Sequence, residues 1–291
     1  MKMRVFNLIL ALLSAVMFVS CTSSKQDYKG TKKQEYSRNA VIYEVNIRQY
    51  TEEGTLNAFA EHLPYLKELG VDILWIMPVQ PISELNRKGE LGSYYAVADY
   101  MAVNPEFGTM EDFDELLEET HKRGMKVIMD LVINHSSDEH EWFVSSATDP
   151  ESPYKDYYIW RDGDENTPPN NWDSIFSGPA WNYYPERKQW ALHLFSKKQM
   201  DFNWENEKLR KDLYKMINGW LKKGVDGFRL DVISFISKAD GLPESDPLIG
   251  SLMGVKGVEH YFYGPRLHKY LKEMNENCFS KFDAFTVGEC Q

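Results

Sequence analysis

The sequence predicts an α/β protein assembled from parallel βα units. Three observations carry that reading. Short apolar runs alternate with amphipathic helical stretches from Asn39 onward. The run from Ile73 to Val79 is apolar without alternation, as a strand covered on both faces requires. Two further runs, Gly227-Phe228-Arg229-Leu230 and Phe285-Thr286-Val287-Gly288, lead straight into carboxylates at Asp231 and Glu289. Five strands can be counted. An open doubly wound sheet could hold five, whereas a closed eight-stranded barrel needs more than this chain supplies.

The elements follow in order. Val41 to Ile47 reads as the first strand. Thr55 to Leu69 reads as one helix with Leu56, Phe59, Leu63, Leu66 and Leu69 on a common face and Gly70 as its stop. Ile73 to Val79 is the second strand. Thr109-Met110-Glu111-Asp112 has the form of a capping box and opens a helix through His121 that Gly124 ends. Lys126 to Ile133 is the third strand. The stretch from Ser136 to Gln199 is too long for an ordinary loop. It carries six prolines and five tryptophans, Trp142, Trp160, Trp172, Trp181 and Trp190, and reads as a small subdomain on one βα connection. Leu209 to Leu221 is helical, and Gly227 to Val232 and Phe285 to Val287 are strands four and five. Strands separated by helices favour parallel pairing.

The first residues stand outside this pattern. Lys2 and Arg4 precede an apolar stretch, Val5 to Val19, that is short for a membrane span and has the make-up of a secretory leader. Ser20-Cys21 and a polar run to Arg38 follow. A cysteine at that place resembles a bacterial lipoprotein signal, in which Cys21 is acylated and becomes the mature N-terminus. Phe18 departs from the aliphatic residue usual three positions before the cysteine, and plain secretion is the alternative. The expected organisation is thus a leader over 1–21, a linker over 22–38, the first part of a catalytic unit over 39–135, an inserted subdomain over 136–199, and its continuation over 200–291. The expected location is outside the cytoplasm, with the membrane reached only through the lipid. Cys278 and Cys290 are expected to remain unpaired.

A formal charge of −11 disfavours nucleic acid, whose binding needs a basic footprint, and suits a neutral substrate. It serves solubility equally well. Aromatic residues make up 14% of the chain, enough to fill a core and still leave flat apolar faces for ligands such as sugar rings.

The strand ends carry the chemistry. Strand three runs Asp130-Leu131-Val132-Ile133-Asn134-His135, strand four ends Arg229-Leu230-Asp231, strand five ends in Glu289, and Tyr94-Tyr95 follows strand two. In order, DLVINH at 130–135, GFRLD at 227–231 and TVGE at 286–289 resemble three signature regions of the α-amylase superfamily. NPEFGT at 104–109, KDYYIWRDG at 155–163 and HLF at 193–195 leading to QMDFNW at 199–204 resemble it too. The resemblance runs from about Asn39 to the end. It implies a partial (β/α)8 TIM barrel, about five of its eight strands, with an inserted subdomain after strand three.

That resemblance also implies roles. Asp231 would be the nucleophile and Glu289 the general acid and then base, cleaving α-glucosidic bonds of starch, maltodextrin or related oligosaccharides with retention. Arg229, two residues before Asp231 and on the same face of the strand, would hold it ionised. Glu289 would stay protonated in a crowded acidic site. His135 would bond a sugar hydroxyl and Tyr95 would stack on the ring. Asp130 and Asn134 read as structural, bonding loop backbone. No cofactor is required. The loop Tyr50-Thr51-Glu52-Glu53-Gly54 has too few spaced carboxylates to wrap calcium, and Asn134 is a weak single candidate for a ligand.

Two signals conflict over specificity. Ala96 stands where exo-acting relatives place an aspartate, and Val232 after the nucleophile resembles members active on α-1,6 links. Linkage and mode of attack stay open. The family's third acid and last three strands would lie past Gln291, so this polypeptide is expected to be an N-terminal fragment, insoluble or inactive alone. A non-catalytic glycan binder is the alternative, and glycosyl transfer a weaker third.

Overall fold

The computed structural model describes residues 35–290 apart from 86 and 88. The leader, Cys21 and most of the polar linker lie outside the described residues. Along the chain the strands are β1 (Ile42–Val45), β2 (Ile73–Ile76), β3 (Lys126–Leu131), β4 (His135–Ser137), β5 (Trp160–Asp162), β6 (Trp181–Tyr184), β7 (Gln189–Leu192), β8 (Gln199–Asp201), β9 (Gly227–Leu230) and β10 (Phe285–Gly288).

Five of them, in the order β1-β2-β3-β9-β10, form one parallel sheet. The architecture is α/β, as expected. β3 is its middle strand, and it and its neighbour β2 are strongly apolar, with Ile73, Leu74, Ile76, Val127, Ile128 and Met129 all buried. At Gly227 a Cβ would lie 1.7 Å from the carbonyl oxygen of Phe285, so only glycine lets β9 and β10 approach.

Helices cover the sheet. The capping box forms over Met110–Lys122: Asp112 N donates to Thr109 Oγ1 at 3.2 Å, and Thr109 N donates to Asp112 Oδ2 at 2.7 Å. Such a cap stabilises a helix by about 1 kcal/mol, and the face it presents buries Phe113, Leu116 and Leu117. Glu207–Lys223 is capped by the Asn206 side chain and stops at Gly224. The single helix expected over 55–69 is instead two, Leu56–Ala60 and Leu63–Glu68. Pro64 is the reason. It lacks an N–H, and its ring would strike the carbonyl four residues back, so it opens a second helix rather than continuing the first.

The inserted stretch is more ordered than an irregular loop. Its two ends are tied together by β4 and β8, which pair antiparallel with His135 opposite Asp201. Between them lie a helix over Glu141–Thr148 and the antiparallel sheet β5-β7-β6. Trp160, Trp172, Trp181 and Trp190 are buried and act as core. After β9 the chain forms helices over Pro247–Met253, Val258–Tyr261 and Leu267–Met274. No helix among the described residues is long and apolar enough to cross a membrane. Cys278 is buried, Cys290 is exposed, and both are free thiols.

Candidate active site at the carboxyl ends of the strands

Register brings the charged groups together. Asp130 on β3 pairs with Arg229 on β9, and Arg229 pairs with Val287 on β10. Two residues beyond each of those last two positions stand Asp231 and Glu289. The Arg229 guanidinium meets all three carboxylates: Nη1 lies 2.6 Å from Asp130 Oδ1 and 2.7 Å from Asp231 Oδ1, and Nη2 lies 2.8 Å from Glu289 Oε2. It also sits 5.2 Å from the Trp75 ring centroid, and Trp75 Nε1 donates to Asp130 Oδ2 at 2.9 Å.

The chain turns sharply after the nucleophile candidate. Val232 adopts φ 35° and ψ 41°, a left-handed conformation that a β-branched residue rarely takes. That turn sends its N–H to Glu289 Oε2 at 2.9 Å. One oxygen of Glu289 thus accepts from a main-chain amide and also pairs with the guanidinium.

Burial shapes the protonation of this cluster. Asp231 is pushed up to about 7, first by burial and then by the neighbouring charge of Asp130, with Arg229 opposing. Arg229, expected to hold Asp231 ionised, does favour the charged form, but burial and the charge of Asp130 work against it. Asp130 is raised to about 6, again chiefly by burial. Burial also works against the charge on Arg229, but Asp130 and Asp231 outweigh it and the guanidinium is held protonated.

His135 and Tyr95 contact each other. His135 is 1% exposed, and its Nε2 lies 3.1 Å from the carbonyl oxygen of Tyr95. Burial lowers the imidazole to about 4, so it is neutral at physiological pH. The half-buried phenol of Tyr95 is raised by burial and then by the charges of Asp130 and Asp231. Arg229, Asp231 and Glu289 are therefore joined directly, whereas His135 contacts the Tyr95 carbonyl, Asn134 Nδ2 at 3.3 Å and Gln199 Nε2 at 3.0 Å.

Asn134 belongs to a second, buried network. Its Oδ1 accepts from Lys238 Nζ at 2.9 Å and its Nδ2 donates to Asp201 Oδ2 at 3.0 Å. Lys238 and Asp201 pair at 2.7 Å with side chains 5% and 0% exposed. The candidate ligand oxygen is thus bonded to a resident ammonium. Asp130 and Asn134 bond side chains, not the loop backbone anticipated for them. Sequence reasoning missed Trp75, Asp201 and Lys238. A lone lysine closing the apolar run Val232-Ile233-Ser234-Phe235-Ile236 was the available signal, since such a lysine needs a buried partner.

A parallel α/β sheet with an acid pair at its carboxyl ends is the arrangement of a barrel glycosidase. The comparisons agree. The model of the alpha-amylase catalytic domain matches residues 23–291. The oligo-1,6-glucosidase of Bacillus cereus is 47% identical over 262 residues, covering 88% of this chain and 46% of that protein. The crystal structure of Bacillus licheniformis trehalose-6-phosphate hydrolase superposes with a TM-score of 0.78 at 45% identity, over 87% of this chain and 44% of the other. A MutB variant in complex with the substrate sucrose gives 0.80 at 42% identity, over 89% and 46%. The chain belongs to the alpha-amylase catalytic-domain family. It spans about half the length of the relatives it matches.

Proposed function

We propose that the protein is a retaining glycoside hydrolase acting on α-glucosidic bonds of starch, maltodextrin or related oligosaccharides. The observation that carries the reading is the shared guanidinium: Asp231 and Glu289 each contact a different amino nitrogen of Arg229. A single planar cation spanning both carboxyl groups fits the close spacing of a retaining pair, not the wider gap that admits a water.

In this reading the ionised Asp231 carboxylate attacks the anomeric carbon while Glu289 gives its proton to the glycosidic oxygen, and the aglycone leaves. Glu289 then removes a proton from water, which attacks the same carbon and releases Asp231. Tyr95 and His135 border the space where that glucosyl ring sits. Substrate replaces the Arg229 contact of Glu289, freeing the acid to face the scissile oxygen. No step calls on a metal.

A fluorinated α-glucosyl fluoride that traps the covalent intermediate tests this. Mass spectrometry should find the glucosyl group on Asp231, and labelling elsewhere or none refutes the assignment. Acylation at Cys21 belongs to the same reading, supported by Lys2, Arg4 and the apolar run that follows. Incorporation of labelled palmitate, abolished by Cys21→Ser, is its test.

A further inference from the structure

We infer a second sugar-binding site, apart from the carboxylate cluster, in the cavity between the inserted stretch and the segment 236–242 that follows β9. The cavity has a volume of about 330 Å³. That lies near the lower end of the range for small-molecule sites, ~300–1,000 Å³, and limits the occupant to one or two rings. Neither Asp231 nor Glu289 lines it.

The walls define the ligand's chemistry. Six charged residues line the space: Asp156, Arg161, Arg187, Glu205, Lys238 and Asp240. Two partners just outside complete the set, Asp201 on Lys238 at 2.7 Å and Arg266, which pairs with both Glu205 and Asp240. Three cations that line the cavity, Arg161, Arg187 and Lys238, stand against three anions, Asp156, Glu205 and Asp240, and the two outside partners keep the balance. An anionic or cationic ligand gains nothing from a balanced wall. A neutral molecule rich in hydroxyls does, because each hydroxyl can donate to a carboxylate and accept from a guanidinium or ammonium.

The remainder of the lining suits the same ligand. Ile159, Phe202, Ile236 and Leu242 are buried apolar residues that can cover the carbon face of a sugar ring. Arg187 is held rigidly, its guanidinium carbon 4.4 Å from the Trp160 ring centroid and its Nη2 donating to the Lys155 carbonyl at 3.0 Å. A prearranged polar group loses little entropy on binding. The exposed rim residues Asp156 and Arg161 complete the opening.

The site is tested by titrating the full chain carrying Asp231→Asn, which blocks turnover, with isomaltose and with maltose. Two binding events per chain are expected for at least one of these sugars. Asp156→Ala or Arg161→Ala, each added to that background, should weaken one event at least tenfold and leave the other unchanged. Both residues are exposed, and a melting curve confirms that each variant folds. Titrations in which neither substitution weakens any event, for either sugar, overturn the inference. Hydrolysis of p-nitrophenyl α-glucoside by the Asp156→Ala chain with Asp231 intact reports the catalytic reading separately, so either idea can fail alone.

Discussion

The main-chain N–H of Val232 donates to Oε2 of Glu289 across 2.9 Å. The contact exists because Val232 is held in a left-handed conformation, at a cost of about 1–3 kcal/mol for such backbone strain. Its side chain is buried with Phe235 and Phe195, which fixes the turn. Strain in β9's exit is thus stored where it positions the second carboxylate of the acid pair.

Glu289→Gln tests that geometry together with the proposed acid role. The amide oxygen can still accept from the Val232 N–H, so melting temperature should stay within a few degrees of the parent. Hydrolysis of substrates with poor leaving groups should fall by about 10²–10⁴. Glucosyl fluoride, which needs little protonation, should be largely spared. An equal loss on both substrates would remove Glu289 from the acid role.

Asp231→Asn addresses the acidity of the buried site. A carboxyl raised from 3.8 to about 7 keeps its proton in the folded state after the unfolded chain has released it. The folded state then binds more protons between about pH 4 and 7, so this group's contribution to stability falls as pH rises through that window. His135, lowered to about 4, has the opposite sign between pH 4 and 6.5 and hides the effect in the parent alone. The difference between parent and variant removes the His135 contribution and reports Asp231 together with the carboxylates coupled to it. The variant should gain stability relative to the parent on going from pH 4 to 7, on the order of 3 kcal/mol, read by denaturant melts at each pH. A pH-independent difference contradicts the raised value.

These groups differ in how visible they were in the chain. Parallel strands, capping box and strand-end carboxylates were legible because each is a local pattern: apolar runs, Thr109 to Asp112, Arg229 two residues from Asp231. Pro64 was equally local, yet the helical spacing of Leu63, Leu66 and Leu69 masked the break it makes. The Lys238–Asn134–Asp201 network was not legible, because its members are 104 and 67 residues apart and meet only once β4 and β8 pair. Nor was the state of Asp231, since desolvation depends on everything packed around it and not on its neighbours in sequence.

Lys238→Met probes that network. It leaves Asp201 fully buried without its cation, retaining only Leu194 N at 2.8 Å and Asn134 Nδ2 at 3.0 Å as donors. Removing one partner of a buried pair costs about 3–5 kcal/mol. In a domain of this size that lowers the melting temperature by roughly 10 °C. Adding Asp201→Asn should recover at least half of the loss, since no buried charge then remains. A double variant as unstable as the single one would show that packing of the lysine stem, not charge, holds the site.

Asp130→Asn separates the two upper influences on Asp231. Burial comes first and is untouched by the change, while the charge of Asp130 comes second and is removed. The isostere keeps an oxygen for Trp75 Nε1 or Arg229 Nη1, so the wall should stay in place. Arg229 is also left with one fewer carboxylate to share, which strengthens its hold on Asp231. Both changes favour the ionised nucleophile. The acidic limb of kcat/KM against pH reports that ionisation in the free enzyme. It should move to lower pH by about one unit, and its position belongs to the coupled carboxylates as a group. A limb that moves up, or a loss of activity uniform across pH, would mean that Asp130 acts through structure and not through its charge.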